Sequence, residues 1–203
     1  MEVNGRRTQA ERTSATRSAL IGAARRLFAE HGYAGVGTQA IVDAAGVTRG
    51  ALYHQFGDKR GLFEAVFDEL EEKTIGAAAA AVLAAGELDP VETMLVAIDG
   101  FMDAIADPGI TRITMIDAPA VLGWDGWRAR GEKYGIAVIE SLIVRAIDQG
   151  TVAPQPTRAV AHVLLGMLDE SALYVTRADD RDAALAEIRS AMARVVRGLM
   201  LPY

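Results

Sequence analysis

Thr38 to Lys59 reads TQAIVDAAGVTRGALYHQFGDK, a pattern of two short helices, a tight turn and the start of a third helix. Thr38 is placed to cap the first helix, because a threonine hydroxyl can accept from a free first-turn N–H. Ile41, Val42 and Ala45 give that helix an apolar face, and Gly46 can take the left-handed conformation that ends it. Thr48 follows as a second cap, with Val47 and Leu52 at the spacing of a hydrophobic staple. Asp58, after Gly57, is a third cap. Two brief helices joined by a glycine-containing turn form a helix-turn-helix. The second, Thr48 to about Gln55, is the one this motif inserts into the DNA major groove.

The side chains on that second helix suit the role. Arg49 and Gly50 lie in its first turn, the part that reaches base edges. An arginine there can donate two parallel hydrogen bonds to guanine, and Gly50 has no side chain to hold the backbone off the duplex. Tyr53 and His54 can donate to phosphate oxygens. Lys59, just inside the next helix, can bring its charge to the same backbone. Thr38 and Gln39, at the start of the first short helix, complete the candidate DNA-contacting set.

The longer run GYAGVGTQAIVDAAGVTRGALYHQFGDKRGLFEAVF resembles the DNA-binding domain of the tetracycline-repressor (TetR) family, over roughly Ala15 to Phe67. The resemblance implies an all-α homodimer with an N-terminal helix-turn-helix. It further implies a C-terminal domain that binds a small effector, and an effector that lowers affinity for operator DNA.

Net charge is −6, which by itself argues against DNA binding, but its distribution is uneven. Residues 1–60 carry nine basic and five acidic groups, +4, and the remainder carries −10. A basic head on an acidic body is the asymmetry of a DNA reader joined to a separate non-DNA domain. The expected division is therefore residues 1–60 as arm and DNA-binding domain and residues 61–203 as effector-binding and dimerisation domain. The chain has no cysteine, which excludes disulfides and thiolate metal sites. The first eighteen residues lack the apolar core of a signal peptide, and the Ala77–Ala85 run is too short to span a bilayer. A cytoplasmic protein without membrane contact is expected.

Residues 1–13 show no apolar periodicity and read as a polar tail, or as an arm laid on DNA through Arg6, Arg7 and Arg12. From Ser14 to His31, Leu20, Ala24, Leu27 and Phe28 recur at helical spacing, with Gly32 as the stop. A three-helix core around Leu27, Phe28, Ile41, Leu52 and Phe56 is expected, plugged by Tyr33 and Val36. The G-x-G of Gly35–Gly37 lacks the preceding strand of a dinucleotide site. After Asp58 a helix to about Ala85 carries the stripe Leu62, Phe63, Val66, Phe67 and Leu70. Gly76 interrupts it, as a close packing contact, a break or a bend point.

In the body, a helix from Pro90 to Ala106 is capped by Asp89. Asp107-Pro108-Gly109 reads as a turn, and a short helix follows from Ile110 to Ile116. Asp117-Ala118-Pro119 has the look of a cap with a nearby proline. A long helix spans about Gly126 to Gln149, with Ile136, Ile139, Ile143 and Ile147 inside and Gly150 as its stop. A helix capped by Thr157 and apolar on nearly every side runs to Arg177, and a last helix runs from Arg181 to Met200. These two suggest a hairpin with one face left for a second copy, through Leu164, Leu168, Ile188, Met192, Val195 and Leu199.

Large, adaptable side chains make Phe101, Met102, Met115, Trp124, Trp127, Tyr134 and Met167 the candidate effector-pocket residues. Asp117, His162 and Glu170 are candidate polar groups for it. Catalysis has little support: the three histidines fall in no metal-binding pair, no glycine-rich phosphate loop follows a strand, and no triad context is readable. No cofactor or metal is expected. The favoured function is a repressor released from a palindromic double-stranded operator by a small-molecule effector. A helical carrier or enzyme with a non-functional helix-turn-helix remains the alternative.

Overall fold

A capping box opens the first described helix. The Glu11 N–H donates to Thr8 Oγ1 at 3.2 Å, and the Thr8 N–H donates to Glu11 Oε2 at 2.7 Å. In this computed structural model, which describes residues 8–200, α1 runs Gln9–Gly35. The reading of residues 1–13 as a tail is corrected from Thr8 onward: the three-residue spacing of the cap Thr8 and the return carboxylate Glu11 outweighs the missing apolar periodicity. Arg12 stands exposed on the first turn of α1, and Arg6 and Arg7 lie outside the described residues. Gly32, at φ 72°, breaks the helical path where the stop was expected, and one further turn continues to Gly35.

Helices α2 (Thr38–Ala45), α3 (Arg49–Phe56) and α4 (Lys59–Ala85) follow. Gly46 ends α2 at φ 65°, ψ 32°, with its N–H turned back to the Val42 and Asp43 carbonyls. Thr48 caps α3 by accepting from the Ala51 N–H. Asp58 accepts from the Gly61 N–H at 2.7 Å at the start of α4. Thr38, however, is the first helical residue rather than the cap; Gly37 holds that position without a side-chain bond.

The chain divides into two units, Met1–Glu69 and Leu70–Tyr203. The first keeps Leu62, Phe63, Val66 and Phe67 of α4 in its own core, with Leu20, Ala24, Phe28, Val36, Ile41 and Leu52. Phe28, Tyr33 and Phe63 form a ring cluster with centroids 5.1–5.6 Å apart. Leu27 and Phe56 are only half-buried, and Arg17 lies over the Phe56 ring at 4.7 Å.

The second unit contains α5 (Pro90–Ile105), α6 (Pro108–Thr111), α7 (Ala118–Leu122), α8 (Trp124–Gly131), α9 (Ala137–Asp148), α10 (Thr157–Arg177) and α11 (Arg181–Leu199). Asp107 is not a turn residue: it caps α6 with Pro108 at the first helical position, as Asp89 and Pro90 do for α5. Asp117 makes no side-chain cap, and Thr157 is the first residue of α10, donating instead to Glu140 at 3.0 Å. Two π-helical turns, Arg112–Asp117 and Glu132–Ile136, join α6 to α7 and α8 to α9. The three residues between α10 and α11 leave room only for an antiparallel hairpin. α10 is long and apolar enough to cross a bilayer by composition, but its Ala161, Leu164, Leu165, Leu168, Ala172 and Val175 are core residues of this unit. Asp99 and Asp103 are not merely solvated: both pair with Arg189 of α11.

Gly76 neither packs closely nor breaks α4. It is exposed, the helix runs through it, and a Cβ there would meet nothing within 4 Å. Gly100 is the close-contact glycine. A Cβ on it would lie 2.8 Å from Ala81 Cβ, 3.0 Å from Ala78 Cα and 3.1 Å from the Ala77 carbonyl oxygen.

Candidate nucleic-acid interface and effector cavity

In the first unit, Leu52 anchors α3 in the core and leaves Arg49, Gly50, Tyr53 and His54 exposed. Arg49 donates to the Tyr53 hydroxyl at 3.3 Å and lies over its ring at 5.7 Å, the i,i+4 neighbours of one helix face. A Cβ on Gly50 would meet only the Thr48 hydroxyl, at 3.9 Å, so that surface is open. Thr48 is exposed, and Gln39 is exposed and bonded to Asp43 at 2.8 Å, while Thr38 is half-buried. Lys59 is half-buried; its Nζ donates to the Tyr33 carbonyl at 2.6 Å and sits 4.0 Å from the Tyr33 ring centroid. Its first task is to hold the end of α1 to the start of α4. Burial, followed by the Asp58 carboxylate, raises the Tyr33 pKa above 10, with Arg60 opposing, so its hydroxyl is neutral at physiological pH.

The second unit encloses a cavity of about 390 Å³ between the later part of α4, α5, the second π turn, α9 and α10. Small side chains make the room: Ala78 and Ala79 of α4, Ala97 of α5 and Gly135 of the π turn. A Cβ on Gly135 would stand 3.1 Å from Leu165 Cδ1, so glycine lets the π turn approach α10 there. Val138, Ser141 and Arg145 of α9 and Ala79 of α4 line the cavity yet remain exposed, which puts its mouth between those two helices.

Of the seven residues expected to line a pocket, Phe101 and Tyr134 do. Met102 is fully buried in the core, and Met115 and Met167 pack against that core. Trp127 is held by its indole N–H, which donates to the Thr114 carbonyl at 2.9 Å; Trp124 packs beside it at 5.1 Å but is 65% exposed. Asp117, His162 and Glu170 are not among the lining residues. Among the described residues no cluster of three metal-ligating side chains occurs.

The α10–α11 face differs from expectation. Leu164, Leu168 and Met192 are buried within the second unit, and Leu164 and Leu168 line the cavity. Ile188 and Leu199 are half-buried. The outward apolar residues of the two helices are Val163 (59% exposed), Tyr174 and Val195, and a Cβ on Gly166 of α10 or Gly198 of α11 would meet nothing within 4 Å. Leu164 and Val163 are neighbours on one helix, a 100° step apart, and composition alone does not say which of the two faces inward.

Beside the cavity wall, Arg128 of α8 donates to Asp169 of α10 at 2.7 Å, and both are mostly buried. Burial pushes the Asp169 carboxyl up from 3.8 to about 6, against the lowering effect of the Arg128 charge and hydrogen bond. The folded chain thus holds this proton more tightly than the unfolded chain. The resulting stability is complete below about pH 4 and is lost as pH rises through about 6. Asp169→Asn is expected to remove that slope: relative to the variant, the wild type should lose about 2–3 kcal/mol between pH 4 and 7. Urea unfolding of both proteins across that range checks it; parallel pH profiles would contradict it.

The chain matches a family model described as bacterial regulatory proteins, tetR family, over residues 20–66, and one described as tetracyclin repressor-like, C-terminal domain, over residues 91–199. A crystal structure of a TetR-family transcriptional regulator from Pectobacterium atrosepticum is 32% identical, covers 97% of this chain and 100% of its own, and superposes with a TM-score of 0.79. The repressor AcnR of Corynebacterium glutamicum is 46% identical over 54 residues, 27% of this chain; the match spans only 29% of AcnR's own length. AibR, solved with isovaleryl coenzyme A and operator DNA, shares the fold at 22% identity, with a TM-score of 0.64 over 93% of this chain and all of its own.

Proposed function

The chain belongs to the TetR family of transcriptional regulators, and from that premise we propose that it is a cytoplasmic, homodimeric repressor of a palindromic operator, released by a small-molecule effector. The observation that carries this reading is α3 itself. It is anchored by Leu52 and turns Arg49, Gly50, Tyr53 and His54 outward as one exposed surface. Base reading falls to Arg49, with Gly50 permitting close approach, and phosphate contact falls to Tyr53, His54 and Thr48, with Thr38, Gln39 and Lys59 flanking.

Two copies are needed to read two half-sites. The face supporting that assembly carries Val163, Tyr174 and Val195 on α10 and α11. A two-fold interface repeats any change on both sides. Val163→Asp is therefore expected to bury two unpaired carboxylates and to weaken dimerisation by about 3 kcal/mol or more. Sedimentation velocity at micromolar protein checks this, and a variant that remains dimeric would move the interface elsewhere.

The cavity supplies the regulatory half of the reading. Effector binds better to a conformation of lower operator affinity and shifts the population toward it, a coupling of about 1–3 kcal/mol or 5–150-fold. The test of the function is binding of purified protein to duplex DNA from its own promoter region. Saturable, salt-dependent binding that exceeds binding to unrelated duplex is expected. Indifference to that DNA at low ionic strength would favour the carrier or enzyme alternative.

A further inference from the structure

The polar character of the cavity is uneven, and its unevenness selects a ligand. The lining includes no aspartate or glutamate and one full positive charge, Arg145. The two aliphatic hydroxyls of the lining have their protons engaged: Thr93 Oγ1 donates to the Asp89 carbonyl at 2.8 Å, and Ser141 Oγ to the Val138 carbonyl at 2.7 Å. The Tyr134 hydroxyl accepts from Lys133 Nζ at 3.1 Å. Arg145, by contrast, makes no hydrogen bond or ion pair among the described residues, not even with Asp148 one turn on. Other arginines of the second unit do pair with acidic groups, as Arg128 does with Asp169, Arg158 with Glu140 and Arg189 with Asp99 and Asp103.

Tyr134, Val138, Leu142 and Arg145 succeed one another at helical spacing along one wall, so the Arg145 backbone stands roughly 16 Å along the helix axis from that of Tyr134, at about 1.5 Å per residue. Apart from Thr93 and Ser141, the rest of the wall is apolar, from Phe101 to Leu165. We infer that the effector is an amphipathic anion: an apolar body that fills the alanine-lined cavity, and one carboxylate-like head taken by the Arg145 guanidinium at the mouth. A neutral hydrophobe would fill the same space but leave the cation unused, and a strongly polar ligand would strip water from its own groups without partners to replace it. A planar guanidinium offers a carboxylate two parallel charge-assisted donors, where the Tyr134 O–H at the other end of the wall can offer one neutral donor. This inference rests on the regulatory reading above for the cavity's role, and on the lining alone for the ligand's chemistry.

The test uses the full-length protein and two probes of equal length, decanoate and 1-decanol, below micellar concentration, with binding measured by calorimetry. Decanoate is expected to bind wild-type protein at least tenfold more tightly than decanol. Arg145→Gln should remove that preference by weakening decanoate about tenfold or more while leaving decanol within twofold. Ser141→Trp, on the exposed lip, should block both probes; circular dichroism of each variant checks that it is folded. Equal affinity of the two probes for wild type, a preference that survives Arg145→Gln, or no binding of either probe would each overturn the inference. Operator binding of the wild type without probe is measured alongside. Its loss would sink the repressor reading and not the ligand assignment, whereas intact operator binding with failed probe selectivity would do the reverse.

Discussion

Gly61→Ala is expected to cost the N-terminal unit about 3 kcal/mol or more and to abolish operator binding at temperatures where the wild type binds. A Cβ at Gly61 would overlap the carbonyl oxygen of Phe56 and come 3.2 Å from its carbonyl carbon. The obstruction is backbone, so no side chain can swing away to relieve it. Phe56 is the last residue of α3, and the Gly61 N–H is bonded to Asp58, the cap of α4. Relief therefore requires the end of α3 or the start of α4 to move, and α3 carries the candidate base-reading surface. Thermal unfolding followed by circular dichroism should show a loss of roughly 12 °C or more for the transition that includes this unit. Gly76→Ala is the matched control, since its added methyl meets open space on an exposed helix face. A Gly61→Ala protein that melts and binds like the wild type would show that the α3–α4 corner is more open than described.

Arg49→Ala is expected to lose discrimination at one base pair in each half-site, by about 1–3 kcal/mol, while retaining part of its affinity for unrelated DNA. The guanidinium is exposed and steadied by Tyr53 on the same face, which limits the side-chain freedom it must give up on docking. Tyr53→Phe therefore has a mixed expectation. It loses a phosphate donor, which lowers affinity for all sequences alike, and it also releases Arg49 from its hydrogen-bonded orientation, which erodes part of the base preference. Fluorescence anisotropy against operators substituted one base pair at a time, at one fixed salt concentration, separates the two effects. Equal weakening of every duplex by Arg49→Ala, with a shallower salt dependence, would make Arg49 a phosphate contact instead.

The DNA-reading half of the molecule was legible because its signals are short-range. Gly46, Thr48 and Asp58 each act on a partner three or four residues away, and they and the Leu52 anchor appear in the structure in the roles their spacing assigns. Thr8 and Glu11 carried the same kind of signal and were outweighed by the polar composition around them. Lys59 was read for its charge, yet its partner, the Tyr33 carbonyl, lies 26 residues away.

The cavity was not legible, for a reason that follows from what a cavity is. Large aromatic and methionine side chains were expected to line it, but such groups fill space, and Met102, Trp127 and Met167 are used as packing. The room comes from side chains that are small where several helices meet: Ala78, Ala79, Ala97 and Gly135. The alanine run of α4 also lets that helix approach α5 at Gly100.

Local chemistry thus decided the helices, their caps, the helix-turn-helix and the outward side chains of α3, because each depends on hydrogen bonds and sterics within a turn or two of chain. Tertiary packing decided which residues of α10 and α11 face out, where the cavity lies, and that Arg145 stands alone at its mouth. Those outcomes depend on which side chains from distant segments fill, or leave open, the same volume.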